Sequence, residues 1–177
     1  GDGDHIFNVQ RGIKLVLELE PTIKDLPVSK ALNQIAMKVL SGIGGSSGAL
    51  FGTLFMTMAK GDGIDDGIDY KKAIEIFAQG VEAVKQRGKA DVGEKTMMDV
   101  LIPVSNYLKK GVKENKDKNE ILNEAIEIAE KGMLSTKELL ATKGRASFLG
   151  ERAKGHIDPG ARSSQLMIKT VCESVNK

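Results

Sequence analysis

The stretch Ile121-Leu-Asn-Glu-Ala-Ile-Glu-Ile-Ala-Glu-Lys-Gly132 decides the fold class of this 177-residue chain. Its apolar residues Ile121, Ala125 and Ile128 recur three or four positions apart, and the stripe continues through Thr136 and Leu139. This spacing puts them on one face of an α-helix, whereas a half-buried strand would alternate with a period of two. The stretch therefore predicts a long amphipathic helix.

The same helical period returns in six further segments, and strand signals are nearly absent. These segments are marked by residues 9–16, 28–39, 50–58, 73–84, 97–108 and 168–175. Helices joined by short connections pack as antiparallel neighbours. A length of 177 residues with 41% hydrophobic content is enough for one core. The sequence thus predicts an all-α, antiparallel helical barrel or bundle of about seven helices, in a single domain over residues 1–177.

A few residues inside these patterns predict local details. Gly12, Gly80 and Gly132 interrupt helical stripes, and each costs about 1 kcal/mol against alanine, so we expect close helix contacts there. Asp69 is expected to be an N-cap. Pro103 is expected to kink its helix, because proline has no N–H to donate.

Composition excludes several classes of partner. The formal net charge is +2, from 26 basic and 24 acidic residues, and aromatic residues make up 4% of the chain. Neither a nucleic-acid surface nor an anionic membrane is expected as the main partner. The chain has one cysteine and no apolar run of about 20 residues. These features predict a soluble cytoplasmic protein with no nucleic-acid partner and no membrane partner.

The N-terminal stretch Gly1-Asp2-Gly3-Asp4-His5, followed by Asn8, has the composition of half a metal site. Two carboxylates two residues apart can bind one hard cation, and oxygen ligands suit Mg²⁺ or Ca²⁺. The alternative is a solvated acidic turn that only caps the next helix.

The glycine-rich stretch Gly42-Ile-Gly-Gly-Ser-Ser-Gly48 precedes a predicted helix. Successive glycines and a helix N-terminus direct backbone N–H groups at an anion, and Ser46 and Ser47 can add hydroxyl donors. No lysine follows the glycines, so this is not a Walker P-loop. We favour a phosphate-binding role over a flexible turn.

The run from Lys143 to Gly160 lacks helical periodicity, which is typical of a lid or binding loop. Arg145 and Arg152 could clamp phosphate oxygens, and Asp158-Pro159-Gly160 predicts a tight turn that starts the last helix. The stretch 87–99 is a weaker candidate and could be only a basic interhelical loop. Together these stretches favour a Mg-nucleotide site for phosphoryl transfer, which needs positioning and charge neutralisation.

Five motifs in register extend this interpretation to a family. The motifs are Gly1–His5 with Asn8, Gly44–Gly48, Arg87–Ala90 with Gly93–Met97, Lys143–Arg152, and Gly155–Gly160. In order and spacing the chain resembles the nucleotide-binding L subunits of bacterial, phosphotransferase-system-dependent dihydroxyacetone kinases, over almost its whole length.

The resemblance implies an eight-helix antiparallel barrel that binds ADP through Mg²⁺ at one end. It implies that Asp2 and Asp4 are metal ligands and that the remaining site residues surround the nucleotide, with Gly88 and Met97 along adenine and ribose. Those residues are His5, Asn8, Gly45, Ser46, Ser47, Gly88, Met97, Arg145, Asp158, Pro159 and Gly160. No residue is assigned a catalytic role.

The resemblance also implies two protein partners. A phosphohistidine-carrying phosphotransferase subunit would convert the bound ADP to ATP, and a separate substrate-binding kinase subunit would hold dihydroxyacetone. We expect the loop around Arg145 and Arg152 to belong to the docking surface.

Two departures from the family pattern leave alternatives open. The family has a further aspartate and a first helix before Asp2, and we expect both to precede Gly1 in the protein; otherwise the metal site is incomplete. The position of Ile6 is commonly glycine. A branched side chain there cannot easily adopt a positive φ and is expected to crowd the nucleotide loop. The alternatives are an ATP-exchanging kinase subunit for another substrate and a non-catalytic helical interaction or regulatory paralogue.

Overall fold

The structure, a computed structural model, describes residues 4–176, with only the backbone described for Asp4, Ile6 and Arg145. Over this range it contains helices and no strand, which confirms the predicted all-α class. The α-helices are α1 (Asp4–Leu17), α2 (Glu20–Ile23), α3 (Val28–Gly42), α4 (Gly45–Ala59), α5 (Tyr70–Gly88), α6 (Met98–Lys113), α7 (Lys118–Ser135) and α8 (Pro159–Val175). A 3₁₀ helix spans Arg145–Ala153.

The described residues form two compact units, residues 4–88 and residues 89–176. In the N-terminal unit, α3 packs against α1, α2 and α4, and α4 packs against α5. In the C-terminal unit, α6, α7 and α8 pack against one another. Consecutive packed helices joined by short connections, such as α3–α4 and α6–α7, are the arrangement that the sequence predicted.

All seven predicted helices are present, and the sequence missed two short ones. Helix α2 is a single turn with Pro21 near its start, and the 3₁₀ helix lies inside the run predicted as loop. Helix α7 ends at Ser135 and does not continue to Leu139. Within residues 4–176, none of the helices combines the length and apolar character needed to cross a membrane.

The three interior glycines lie at close helix contacts, as predicted. A Cβ on Gly12 would overlap the Ile43 side chain, and one on Gly80 would lie 2.8 Å from Leu54 Cδ1. A Cβ on Gly132 would overlap the backbone carbonyl oxygen of Asp99. The backbones of α6 and α7 therefore touch at Gly132.

Three helices begin at an aspartate that caps them. Asp69 Oδ1 accepts a hydrogen bond from Lys72 N at 2.8 Å, which confirms the predicted cap of α5. Asp117 caps α7 in the same way. Asp158 Oδ2 accepts from Ala161 N at 2.8 Å, so Asp158 starts α8, as predicted.

The Asp158 carboxyl differs from an ordinary exposed cap because it is desolvated. Burial, which disfavours the charged form, raises its pKa to about 6. Hydrogen bonds from Ala161 and Gly160 and the nearby charge of Lys95 oppose this rise. Asp158 is therefore a cap whose charge state changes in a mildly acidic range.

We predict that Gly132→Ala destabilises the protein by about 1–3 kcal/mol, because the new methyl group meets backbone atoms that cannot rotate away. The loss should appear although alanine gains about 1 kcal/mol in helix propensity. Urea denaturation measures it, with Glu130→Ala on the exposed face of α7 as the control, expected within about 0.5 kcal/mol of wild type. A Gly132→Ala protein as stable as wild type would refute the close contact.

We predict that Asp158→Asn changes the pH dependence of stability between the ordinary aspartate pKa of 3.8 and the raised value of about 6. In this window the folded protein binds more protons at residue 158 than the unfolded chain, so wild type loses stability as pH rises. Asparagine is also a good N-cap but does not titrate. The unfolding free energy of wild type minus that of the variant should fall by up to about 1.4 kcal/mol per pH unit. Urea denaturation from pH 4 to 7 tests this, and a flat or rising difference contradicts it.

Candidate functional site

In the N-terminal unit, the first turns of α1 and α4 meet at His5 and Ser47. The Nδ1 atom of His5 lies 3.4 Å from Ser47 Oγ, and the His5 side chain is buried. These residues are 42 positions apart in the chain. The structure thus brings together a predicted nucleotide contact from the first motif and one from the glycine-rich motif.

The glycine-rich stretch is a helix start and not the seven-residue loop that the sequence predicted. Helix α3 reaches Gly42, only Ile43 and Gly44 connect the helices, and α4 begins at Gly45. Ser46 and Ser47 lie in its first turn. The cap residue Gly44 has no side chain to accept from the first backbone N–H groups of α4.

Two glycines at the start of α4 are required by the geometry. Gly45 has a φ of +70°, which a residue with a Cβ adopts only with strain. A Cβ on Gly48 would overlap the carbonyl oxygen of Ile43.

Asn8 lies beside Gly44, where an added Cβ would be 3.4 Å from Asn8 Nδ2. Asn8 therefore lies at the same helix junction as His5 and Ser47.

Gly88 lies in the same unit but at another position. It is the last residue of α5, and an added Cβ would lie 3.4 Å from Leu50 Cδ2. Leu50 follows Ser46 by about one helical turn. Gly88 is thus next to the second turn of α4.

In the C-terminal unit, Met97 and Gly160 are in contact. Met97 is the residue before α6 and is buried, and a Cβ on Gly160 would lie 3.4 Å from Met97 Cε. Asp158, Pro159 and Gly160 form the cap and first two positions of α8. The structure therefore joins the predicted contact Met97 to the predicted contacts at residues 158–160.

Two buried charged side chains hold the loop before Met97. Asp99, 2% exposed, accepts from Gly93 N at 2.6 Å and from Thr96 N at 2.8 Å. Lys95, 4% exposed, donates from Nζ to the carbonyl oxygens of Thr136 and His156. Burial lowers the Lys95 pKa, and the carboxylates of Asp158, Glu138 and Asp99 oppose that change.

Glu94 connects this loop to the start of the predicted lid. Its carboxylate accepts from Asp91 N at 2.7 Å and from Thr142 Oγ1 at 2.8 Å, and Lys143 Nζ lies 3.6 Å away. The hydrogen bonds from Asp91 and Thr142 hold the Glu94 pKa below its usual value. The segment 143–160 therefore begins at a fixed point.

The segment predicted to be a lid or binding loop contains local helical structure. Residues 145–153 form the 3₁₀ helix, which is interrupted at Gly150, where φ is +52°. Arg152 is exposed in its last turn, and Phe148 is 86% exposed. Of Arg145 only the backbone is described, so its predicted clamp role stays a prediction.

The predicted metal ligands fall at the edge of the described range. Asp2 lies outside the described residues, and Asp4 begins α1 with its backbone only. Among the residues whose side chains the structure describes, no three His, Cys, Asp or Glu side chains are grouped to hold a metal. The Mg²⁺ assignment to Asp2 and Asp4 stays a prediction.

The backbone argument about Ile6 is wrong. Ile6 lies inside α1, where φ is negative and a β-branched residue is tolerated. The sequence analysis treated this position as part of a loop that needed a left-handed glycine. In a helix, isoleucine at this position carries no such strain.

The sequence analysis named the stretch 87–99 but did not recognise the roles of Lys95 and Asp99. It also did not recognise the role of Thr136. It left this stretch as a weaker candidate that could be only a basic interhelical loop, and charged residues are almost never fully buried unless they are paired. Thr136 was counted as part of a helical stripe. The only available signal was the dense spacing of glycine and charge in Gly93–Asp99.

Comparison with known proteins gives a family for the whole chain. The family called DAK2 domain matches residues 1–173. The ADP-binding subunit DhaL of the PEP-dependent dihydroxyacetone kinase of Escherichia coli K12 is 40% identical, over 96% of this chain and 80% of that protein. The DhaL subunit of the PTS-dependent dihydroxyacetone kinase of Lactococcus lactis is 38% identical, over 99% of this chain and 83% of that protein.

A solved structure shares the fold. The crystal structure of the dihydroxyacetone kinase of C. freundii matches 98% of this chain with a TM-score of 0.72 and 25% identity. This chain spans 29% of that protein's length. The resemblance to dihydroxyacetone kinase L subunits that the motifs indicated is thereby confirmed, and the chain belongs to the DAK2 domain family.

Proposed function

We propose that this chain is the nucleotide-binding subunit of a multi-subunit dihydroxyacetone kinase and that it keeps Mg-ADP bound as a cofactor. The phosphoryl group comes from a phosphohistidine-carrying phosphotransferase subunit and is held on the nucleotide as ATP. It is then transferred to a hydroxyl group of dihydroxyacetone on a separate substrate-binding subunit.

The observation that carries the proposal is the 40% identity to an ADP-binding DhaL subunit over 96% of this chain. The family match over residues 1–173 includes each stretch that the sequence analysis singled out for a nucleotide. A second relative, 38% identical, is named as PTS-dependent. These names supply the nucleotide and the source of the phosphoryl group in the proposal.

The first turn of α4 is the proposed phosphate contact. Its cap residue Gly44 offers the first backbone N–H groups no side-chain acceptor, and the helix dipole favours an anion there. Ser46 is exposed and offers a hydroxyl donor. The Ser47 hydroxyl lies 3.4 Å from the His5 ring, which orients it at the same helix end.

Met97 and Gly88 are the proposed contacts along adenine and ribose, with Asp158, Pro159 and Gly160 also at the nucleotide. The thioether of Met97 is polarizable and suits the face of an aromatic ring. The cap of α8 offers a carboxylate at Asp158 and a residue without a side chain at Gly160. The carboxylate can accept a hydrogen bond from a ligand, and the absence of a side chain lets a ligand approach the backbone closely.

Asp2 and Asp4 are the proposed Mg²⁺ ligands. Carboxylate oxygens are the donors that Mg²⁺ prefers, and Mg²⁺ in proteins is commonly bound by one or two carboxylates together with substrate phosphates. The metal would neutralise charge on the nucleotide's phosphates during phosphoryl transfer.

We predict that the full-length protein, denatured after purification, releases close to one ADP per chain. Asp4→Ala should release little or none, because the bound metal is lost with its ligand. Chromatography of the released nucleotide measures this. Asp62→Ala is the matched control, since that side chain is 99% exposed in the Gly61–Asp69 loop, and it should keep its ADP.

An empty wild-type protein that turns over free ATP would replace the proposal by an ATP-exchanging kinase. An empty protein with no affinity for nucleotide would favour the non-catalytic paralogue. Full ADP retention in Asp4→Ala would remove the metal assignment while leaving the nucleotide assignment in place.

We also predict that Ser47→Ala weakens ADP binding by roughly tenfold, since a hydrogen bond to a charged group contributes about 1.5–3 kcal/mol. Isothermal titration in the presence of Mg²⁺ measures the Kd. Ser41→Ala, at an exposed serine near the end of α3, is the control and should bind as wild type does. Equal affinity in both variants would exclude the Ser47 hydroxyl as a phosphate donor.

A further inference from the structure

Lys95 is the most unusual side chain in the C-terminal unit. Its side chain is 4% exposed, and its backbone φ is +59°, a value that residues with a Cβ rarely adopt. It lies two positions before Met97. A cation is rarely kept buried unless its N–H groups are matched by acceptors.

The Lys95 ammonium group has two backbone acceptors that are distant in sequence. It donates to the carbonyl oxygen of Thr136, 41 residues away, and to that of His156, 61 residues away, at 2.5 Å. Thr136 is the residue that ends α7, and His156 lies two positions before Asp158. One side chain thus joins the Met97 loop, the end of α7 and the segment that leads into α8.

Other hydrogen bonds attach the same segment to the end of α7. The backbone N–H of Asp158 donates to Thr136 Oγ1 at 2.9 Å, and Thr136 Oγ1 itself donates to Met133 O at 2.7 Å. The N–H of Gly155 donates to Lys137 O at 2.8 Å. The residues just before α8 are therefore fixed by backbone atoms and by two buried polar side chains.

We propose that Lys95 is a positioning residue for nucleotide binding. It holds residues 155–158, and so Asp158–Gly160, against Met97. Its ammonium group donates to backbone carbonyl oxygens of the protein and is not itself a nucleotide contact. The inference rests on the proposed function, because Met97 and Asp158–Gly160 are the proposed nucleotide contacts. It adds a residue that acts on the site only through others.

The physical reason is geometric. Carbonyl oxygens accept hydrogen bonds over a limited range of angles and distances, so a buried ammonium fixes two segments more narrowly than an apolar contact does. Without the ammonium, the carbonyl oxygens of buried Thr136 and of His156 both lose their donor. The segment before α8 then moves to regain partners, and Asp158–Gly160 moves with it.

The test compares Lys95→Met with Lys116→Met in the full-length protein. Lys116 is also a lysine with several partners in this unit, at 3.1 Å from Glu120, 3.5 Å from Glu124 and 3.3 Å from the Tyr107 hydroxyl, and the proposal gives it no role at the nucleotide. Lys95→Met should raise the Kd for ADP in Mg²⁺ by roughly tenfold or more, a loss similar to that caused by removing the residues that orient metal ligands. Lys116→Met should leave that Kd unchanged.

Hydrogen exchange gives a second readout at the segment itself. Amides of residues 155–161 should exchange faster in Lys95→Met than in Lys116→Met. Thr136→Val, which removes the acceptor of the Asp158 N–H with little change of shape, should show the same pair of effects. This variant decides the question where Lys95→Met does not fold.

The outcomes separate the two levels of the proposal. Wild type that binds no Mg-ADP overturns the proposed function and this inference with it. Wild-type affinity in both Lys95→Met and Thr136→Val overturns the inference alone. A raised Kd that Lys116→Met shares would assign the effect to stability and would also overturn it.

Discussion

The contact between Gly132 in α7 and the backbone of Asp99 in α6 is the constraint on which the C-terminal unit depends. Only glycine permits this approach, since any Cβ would overlap the Asp99 carbonyl oxygen. Asp99, held there, accepts the N–H groups that shape the loop before Met97. One turn after Gly132, Thr136 lies on the same helix face. Its carbonyl oxygen accepts a hydrogen bond from Lys95 Nζ, and its Oγ1 accepts one from the Asp158 N–H. The start of α8 is therefore positioned by a backbone contact one helical turn away.

In the N-terminal unit, the contacts of Ile43 are the corresponding constraint. Its side chain fills the space left by Gly12 in α1, and its carbonyl oxygen fills the space left by Gly48 in α4. Arg11 Nε also donates to the Gly42 carbonyl oxygen at 2.8 Å, which satisfies one acceptor at the end of α3. These contacts fix α1 against the α3–α4 junction. His5 is brought to Ser47 as a consequence of how the helices pack.

Sequence patterns predicted what depends on neighbours along the chain. Helical periods located seven helices, Asp69 was recognised as a cap, and Asp158 was placed at the start of the last helix, because a helix start depends on residues three or four positions apart. The patterns failed where distant residues decide. The sequence analysis gave Lys95 no role, because its acceptors lie 41 and 61 residues away. The Gly42–Gly48 stretch was predicted as a phosphate-binding loop between helices, whereas α4 already begins at Gly45 and Gly48 is needed for close packing inside that helix.

A buried ammonium joins two segments at a cost in desolvation free energy. What it provides in return is a fixed position of one segment against the other. Removing a charge from water is offset only by good hydrogen bonds and by opposite charges, which Lys95 has in two carbonyl oxygens and in the nearby carboxylates of Asp158, Glu138 and Asp99. An apolar side chain would avoid the cost but would let the segment before α8 slide along an apolar surface. The directional hydrogen bonds of Lys95 fix this segment in a single position. Burial of Asp158 raises its pKa, whereas the Lys95 charge favours its ionised form, so the same lysine that fixes the position of the α8 cap also supports its charge.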